Sequence, residues 1–141
     1  FLFACGGMGE GGDGASGNLV DGNLNTSRKM GVVMVRIGAP RNLDAEEYKD
    51  NPISFKRDLG AFISPRDITQ LFEKSVEVEN IENEHGIPWQ VVYGISNNTR
   101  SFWSLANARK VFGYDPKDDS EILFAEATTS IISDSGRLGP L

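Results

Sequence analysis

The chain has 141 residues, of which 39% are hydrophobic and 24% charged, enough for one globular domain with a real core. Fourteen Lys and Arg stand against twenty Asp and Glu, a net charge of −6, and the bases are scattered, so the clustered positive charge that grips a nucleic-acid backbone is lacking. No apolar run reaches membrane-spanning length, one cysteine excludes an internal disulfide, and one histidine cannot anchor a zinc site; a reducing cytoplasm fits this composition.

Residues 1–30 read as a leader. Eight of the sixteen glycines fall between Gly6 and Gly22, in GGMGEGGDGASGNLVDG, too poor in apolar side chains to offset the entropy of ordering them. Residues 1–4 read as the tail of a buried strand. Leu2-Phe3-Ala4-Cys5-Gly6 also has the form of a lipoprotein cleavage site, but that reading needs an upstream charged region and apolar run.

Residues 31–38, GVVMVRIG, are a nearly unbroken apolar run rich in β-branched side chains, the pattern of a parallel strand covered on both faces. Ala39-Pro40 ends it. Residues 41–56 are polar, and Asn42, Asp44, Asn51 and Pro52 break any period, which predicts an irregular segment. Ser64-Pro65-Arg66-Asp67 predicts a helix start: serine caps, proline suits the first helical position, and aspartate favours the positive end of the dipole. Ile68, Leu71, Phe72 and Val76 form its expected buried stripe.

An acidic loop at residues 77–86 leads to a second strand at 89–95, completing a βαβ unit whose strands should be parallel. Thr99 or Ser101 is the expected cap of the next helix, with Leu105, Ala108, Val111 and Phe112 inward and Gly113 as its left-handed stop. Residues 117–132 predict one more helix, and 133–141 a frayed tail.

Three blocks in this order carry a resemblance: VMVRIGAP at 33–40, ISPRDITQLFEKSVE at 63–77, and VVYGISNNTRSFWSLANARKVFGYDPKDD at 91–119. Over residues 31–121 the chain resembles the extended short-chain dehydrogenase/reductase superfamily, within it the uronate dehydrogenase-like group of NAD-dependent epimerases and dehydratases. The resemblance implies the C-terminal part of a Rossmann-like α/β domain over residues 31–132, an incomplete parallel sheet with crossover helices. It implies NAD or NADP as cofactor of the parent enzyme and a sugar or sugar acid as its small-molecule substrate; a homo-oligomer is left open.

That family opens with a glycine-rich phosphate loop and carries a Tyr-x-x-x-Lys pair before the VRIG strand, the tyrosine as acid/base and the lysine lowering its pKa. Neither is legible here, and no tyrosine precedes Gly31. The first residue is phenylalanine, and such enzymes run to about twice this length. The chain is therefore read as the C-terminal part of a longer enzyme or the product of a truncated gene, with no catalytic residue of its own and no cofactor bound by it alone. The alternative from another class is a noncatalytic Rossmann-like binding or interaction protein that lacks the active centre.

Site residues follow from the resemblance. Arg57, seven positions before Ser64, matches the arginine that holds the sugar carboxylate in uronate dehydrogenases, the natural task of a bidentate guanidinium. The plain alternative is a solvated Lys56-Arg57-Asp58 loop. Ile37 and Gly38 are implied to lie beside the cofactor and Ala39 beside the substrate, at the strand's carboxyl end, where ligands bind in open α/β sheets. A serine is common at the Ala39 position, so the alanine departs from the family pattern. Arg36 is read as paired with a carboxylate, Asn97 to Arg100 as turn and cap residues, and Phe102 and Trp103 as core or interface aromatics. The strand at 32–37 is expected to expose an unpaired edge.

Overall fold

A computed structural model describes the backbone of residues 2–6 and 30–135 and the side chains of residues 30–132. The glycine-rich stretch from Gly7 to Gly22 and the last six residues lie outside these. The described elements are β1 (Leu2–Gly6), β2 (Met30–Ile37), α1 (Ala45–Tyr48), α2 (Pro52–Ala61), α3 (Pro65–Glu77), β3 (Trp89–Gly94), α4 (Ala106–Phe112), α5 (Ser120–Leu123) and α6 (Ala125–Ser135). The chain is α/β, as expected.

The β2 and β3 strands pair in parallel, from Val32 opposite Trp89 to Ile37 opposite Gly94, and α3 lies in the crossover between them. This is the βαβ unit that the sequence predicts. The edge expectation is corrected. Among the described residues the sheet order is β1-β2-β3, with β1 antiparallel to β2 from Leu2 opposite Met34 to Gly6 opposite Met30. β2 is therefore the central strand, paired with β1 over Met30 to Met34 and with β3 over Val32 to Ile37, and β1 and β3 are the outer strands.

Burial on both faces is corrected too. Along β2, Gly31, Val33 and Val35 are buried while Val32, Met34 and Arg36 are half-buried or exposed. Along β3, Gln90, Val92 and Gly94 are buried, whereas Trp89 and Val91 are each 41% exposed. Side chains alternate across a strand, so the parallel register collects one closed face and one open apolar face. The closed face packs with Leu71, Ile95, Leu105, Ala108, Phe112 and Tyr114 into the main core.

Ser64 caps α3 through the Asp67 amide at 3.1 Å, with Pro65 in the first helical position. The helix buries Asp67, Leu71 and Ser75, four residues apart, while Ile68 and Phe72 are half-buried and Val76 is 52% exposed. Gly113 ends α4 in the left-handed region, φ 64° and ψ 32°, as anticipated. The expected caps of α4 are displaced: the helix begins after Leu105 with no side-chain cap, and Thr99 bonds Asp119 instead. The single helix expected at 117–132 is two, α5 capped by Asp119 and α6 beginning after Phe124.

The segment read as irregular holds two helices. Asn51, taken for a breaker, caps α2 by accepting from the Ser54 amide, and Pro52 sits in its first turn. Asp44 caps α1 in the same way. Together α1, α2 and α6 enclose a second, smaller core of Leu43, Tyr48, Phe55, Leu59 and Ile131.

Candidate functional site

The carboxyl end of β2 is built by an intruding segment. After α2 the chain runs between the strand ends: the Ala39 amide donates to the Ala61 carbonyl at 2.8 Å, the Ile63 amide to Ala39 at 3.3 Å, and the Ser96 amide to Phe62 at 2.8 Å. Gly38 donates to Gly94 at 2.9 Å. A Cβ at Gly38 would stand 1.9 Å from the Ala61 carbonyl oxygen, so glycine is required for this close approach.

Two polar networks hold the intruder. Asn98 is buried; its amide donates to Phe62 at 2.8 Å and Gly60 at 3.3 Å, and its oxygen accepts from the Ser120 amide at 3.2 Å. The Ser120 hydroxyl donates to Leu59 at 2.7 Å. Asp67, fully buried, accepts the Lys117 and Asp118 amides at 3.0 and 3.1 Å. Asp118 in turn accepts from the Ser64 hydroxyl and from Arg66 at 2.6 Å. The residues read as turn formers at 97–100 thus act structurally, and Asn98 ties three segments rather than one turn.

Because α2 ends in the intruding segment, Arg57 stands one turn before the strand-end bridge between Ala39 and Phe62. The structure brings Arg57 and Ala39 into this neighbourhood on adjoining elements. Arg57 is largely exposed, and its Nε and Nη2 both contact the Asp58 Oδ1 at 3.0 Å. Asp58 is not a solvated member of a charged loop. It is 4% exposed, accepts from the Tyr48 hydroxyl at 2.9 Å through Oδ2, and lies 3.8 Å from Arg41 Nη1. Sequence reasoning missed Asp58, Arg41 and Tyr48; the only signal was Tyr48 in a polar stretch, ten residues before an aspartate.

Ala39 is buried and its N–H and C=O are both spent on the intruder. Ile37 packs against the main core, half-buried. With the Gly38 amide also engaged and its missing Cβ filled by the Ala61 carbonyl, this strand end offers no free backbone donor to a pyrophosphate. Among the described residues, no group of three or more His, Cys, Asp or Glu is placed to hold a metal.

The three tyrosines have structural partners. Burial, then the neighbouring Asp67 charge, pushes the Tyr114 hydroxyl far above its usual range, and it donates to Ile95 at 2.9 Å. Burial, then the hydrogen bond to Asp58, raises Tyr48. Both shifts favour the neutral phenol, the reverse of what an acid/base tyrosine needs. Tyr93 accepts from Arg36 at 3.3 Å and stacks on Trp103 with ring centroids 5.0 Å apart. Among the described residues, the partner of Arg36 is thus the Tyr93 side chain, its guanidinium 5.4 Å from the ring centroid. Trp103 packs on the core as expected, while Phe102 is 55% exposed.

A separate surface depression of about 650 Å³ is lined by Leu43, Ala45, Ile122, Leu123, Phe124 and Ala127 among others, and includes neither Ala39 nor Arg57. No helix among the described residues is long and apolar enough to cross a membrane.

Over 106 residues, 75% of its length, the chain is 34% identical to an NAD-dependent glucose-6-phosphate dehydrogenase of Haloferax volcanii. The chain spans 36% of that relative's length. No family model and no solved structure matches. An α/β fold with a parallel strand pair, consistent with part of a Rossmann-like domain, and similarity to part of an NAD-dependent dehydrogenase are thus what this chain displays.

Proposed function

We propose that these residues are the substrate-side portion of an NAD-dependent sugar or sugar-acid dehydrogenase of the extended short-chain type, uronate dehydrogenase-like. The observation that carries this reading is the placement of Arg57: α2 ends in the segment that bridges Ala39, so an exposed guanidinium stands one turn from the carboxyl end of a central parallel strand. The similarity to a sugar-phosphate dehydrogenase supports the same substrate class, a sugar that bears an acidic group.

On this reading the chain binds and orients substrate. Arg57 keeps its Nε edge on Asp58, and its remaining N–H groups form the end of the fork that fits a carboxylate or phosphate. The chain spans only part of the relative's length, and on this reading a cofactor loop and an acid/base tyrosine would be supplied by the rest of the whole protein. NAD is the expected electron acceptor of the whole protein, which oxidises a sugar hydroxyl.

The test is steady-state kinetics of the intact protein with Arg57→Ala, on a sugar acid and on the neutral sugar of the same ring. The contact removed is a hydrogen bond to a charged group, worth about 1.5–3 kcal/mol. It should appear mainly in KM and only for the acid, because a group remote from the reacting carbon is held about equally in ground and transition states. Arg57→Lys should recover part, since an ammonium keeps the charge without the fork. Equal losses on both sugars, or no loss on either, would return Arg57 to the surface.

A further inference from the structure

The group around Asp58 holds more positive charge than its own burial requires. A carboxylate that is 4% exposed needs compensation, and Arg57 at 3.0 Å with the Tyr48 hydroxyl at 2.9 Å already supplies it. Arg41 adds a second guanidinium, 3.8 Å from the other carboxylate oxygen, beyond hydrogen-bond distance. Two arginines thus share one buried aspartate, with the Glu47 carboxylate also close enough to act on Tyr48. Both arginine side chains are more than half exposed, 57% for Arg41 and 66% for Arg57.

Their positions in the chain are unrelated, but the fold joins them. Arg41 follows the strand end two residues after Ala39, and Arg57 precedes by one turn the segment that bridges Ala39. The Tyr48 hydroxyl, delivered by α1, fixes the shared carboxylate from below, and its ring packs edge-on against Phe55, 5.5 Å between centroids. Asp58 is thus a buried counter-ion shared by two exposed guanidiniums, on elements that meet at the carboxyl end of β2, where open α/β sheets bind ligands.

We propose that Arg41 is a second anion-binding residue, forming with Arg57 a two-guanidinium site for the acidic group of the sugar. The ligand chemistry is an oxyanion with at least two oxygens, a carboxylate or a phosphate monoester. An Arg41 bound only loosely to Asp58 turns to such a group at little cost, and each guanidinium then offers its own pair of N–H donors. This inference rests on the proposed substrate-side function and adds to it a residue that lies outside the three blocks of family resemblance except at their margin.

The experiment pairs kinetics with calorimetric binding, on the intact protein, using a hexuronate, a hexose 6-phosphate and the neutral hexose of the same ring. The variants are Arg41→Ala, Arg41→Lys, Arg57→Ala and the double Arg41→Ala/Arg57→Ala. Arg41→Ala should weaken binding and raise KM for the preferred anionic sugar about tenfold, the scale of one charge-assisted contact, with kcat within about twofold. The neutral hexose should be unaffected, and Arg41→Lys should recover part of the loss. The double variant should lose less than the product of the single losses, because both side chains hold one group. Whether the hexuronate or the phosphate suffers more identifies the oxyanion. If Arg57→Ala is selective for the anionic sugars while Arg41→Ala changes nothing, or changes all three sugars alike, the two-arginine site is overturned and the proposed function stands. If Arg57→Ala itself shows no selectivity, both fall. Melting curves of the exposed-site Arg41 variants should match the parent, which separates lost binding from lost fold.

Discussion

Two polar clusters flank the carboxyl end of β2, and they differ in what they leave unused. Around Asp67 and Asn98 the buried oxygens accept backbone amides, the Ser64 hydroxyl accepts from the Asp67 amide and donates to Asp118, and the exposed Arg66 also reaches Asp118. Around Asp58 the carboxylate is satisfied, but the arginines attached to it are exposed with donors to spare. The first cluster is a joint that ties backbone segments together; the second is, on the proposed function, the receptor for the substrate's acidic group.

The contrast is sharpest where the joint is broken. Gly38→Ala drives a methyl into the Ala61 carbonyl, and a clash with backbone cannot be relieved by a rotamer change. It should cost about 3 kcal/mol, the upper range for overpacking, and lower the melting temperature more than loss of either Arg41 or Arg57. Asp67→Ala leaves the Lys117 and Asp118 amides without their acceptor and should cost about 2–3 kcal/mol, the range for bonds to a charged group, read by denaturant titration. By the same comparison Arg41→Ala should change stability by less than about 0.5 kcal/mol, as expected of an exposed residue away from strained backbone. A large loss there would make Arg41 part of the joint.

Acid should also weaken the segment that Asp119 ties to Thr99. Asp119 lies below the usual carboxylate range: burial opposes this, but hydrogen bonds from the Thr99 hydroxyl and from the Glu121 and Thr99 amides outweigh it. A lowered folded-state pKa means that its contribution is present above the unfolded value of about 3.9 and is lost as pH falls through the lower folded value. Asp119→Asn should therefore flatten the fall in melting temperature below about pH 4 while altering little near neutrality beyond a constant offset. The smallest effect should be a gain. The Thr128 hydroxyl is buried with no hydrogen-bond partner among the described residues, and Thr128→Val should stabilise by about 0.5–1 kcal/mol in a thermal melt.

What was legible in the sequence follows this division. The Ser64-Pro65-Arg66-Asp67 start of α3, the Gly113 stop and the β2-α3-β3 crossover are written locally, in caps, a left-handed glycine and apolar runs. The helices α1 and α2 were hidden because Asp44, Asn51 and Pro52 serve equally as turn residues and as helix starts, and the small core that selects the helical outcome includes Ile131, far along the chain. The open face of the sheet was hidden for a related reason. Val32, Met34 and Val91 are as apolar as Val33, Val35 and Val92, so periodicity cannot say which set is covered. Arg57 was reachable through its spacing from Ser64, whereas Asp58 and Arg41 gained meaning only when the fold set them on one carboxylate.

The most direct measurement is a crystal structure of the intact protein with NAD and a sugar acid bound. The expected result has the acidic group at the carboxyl end of β2, within about 3 Å of nitrogen atoms of both Arg41 and Arg57, while Asp58 keeps the Tyr48 hydroxyl. A sugar whose acidic group lies elsewhere, with both arginines still facing only Asp58 and solvent, would contradict the assignment of this strand end as the substrate's anion site.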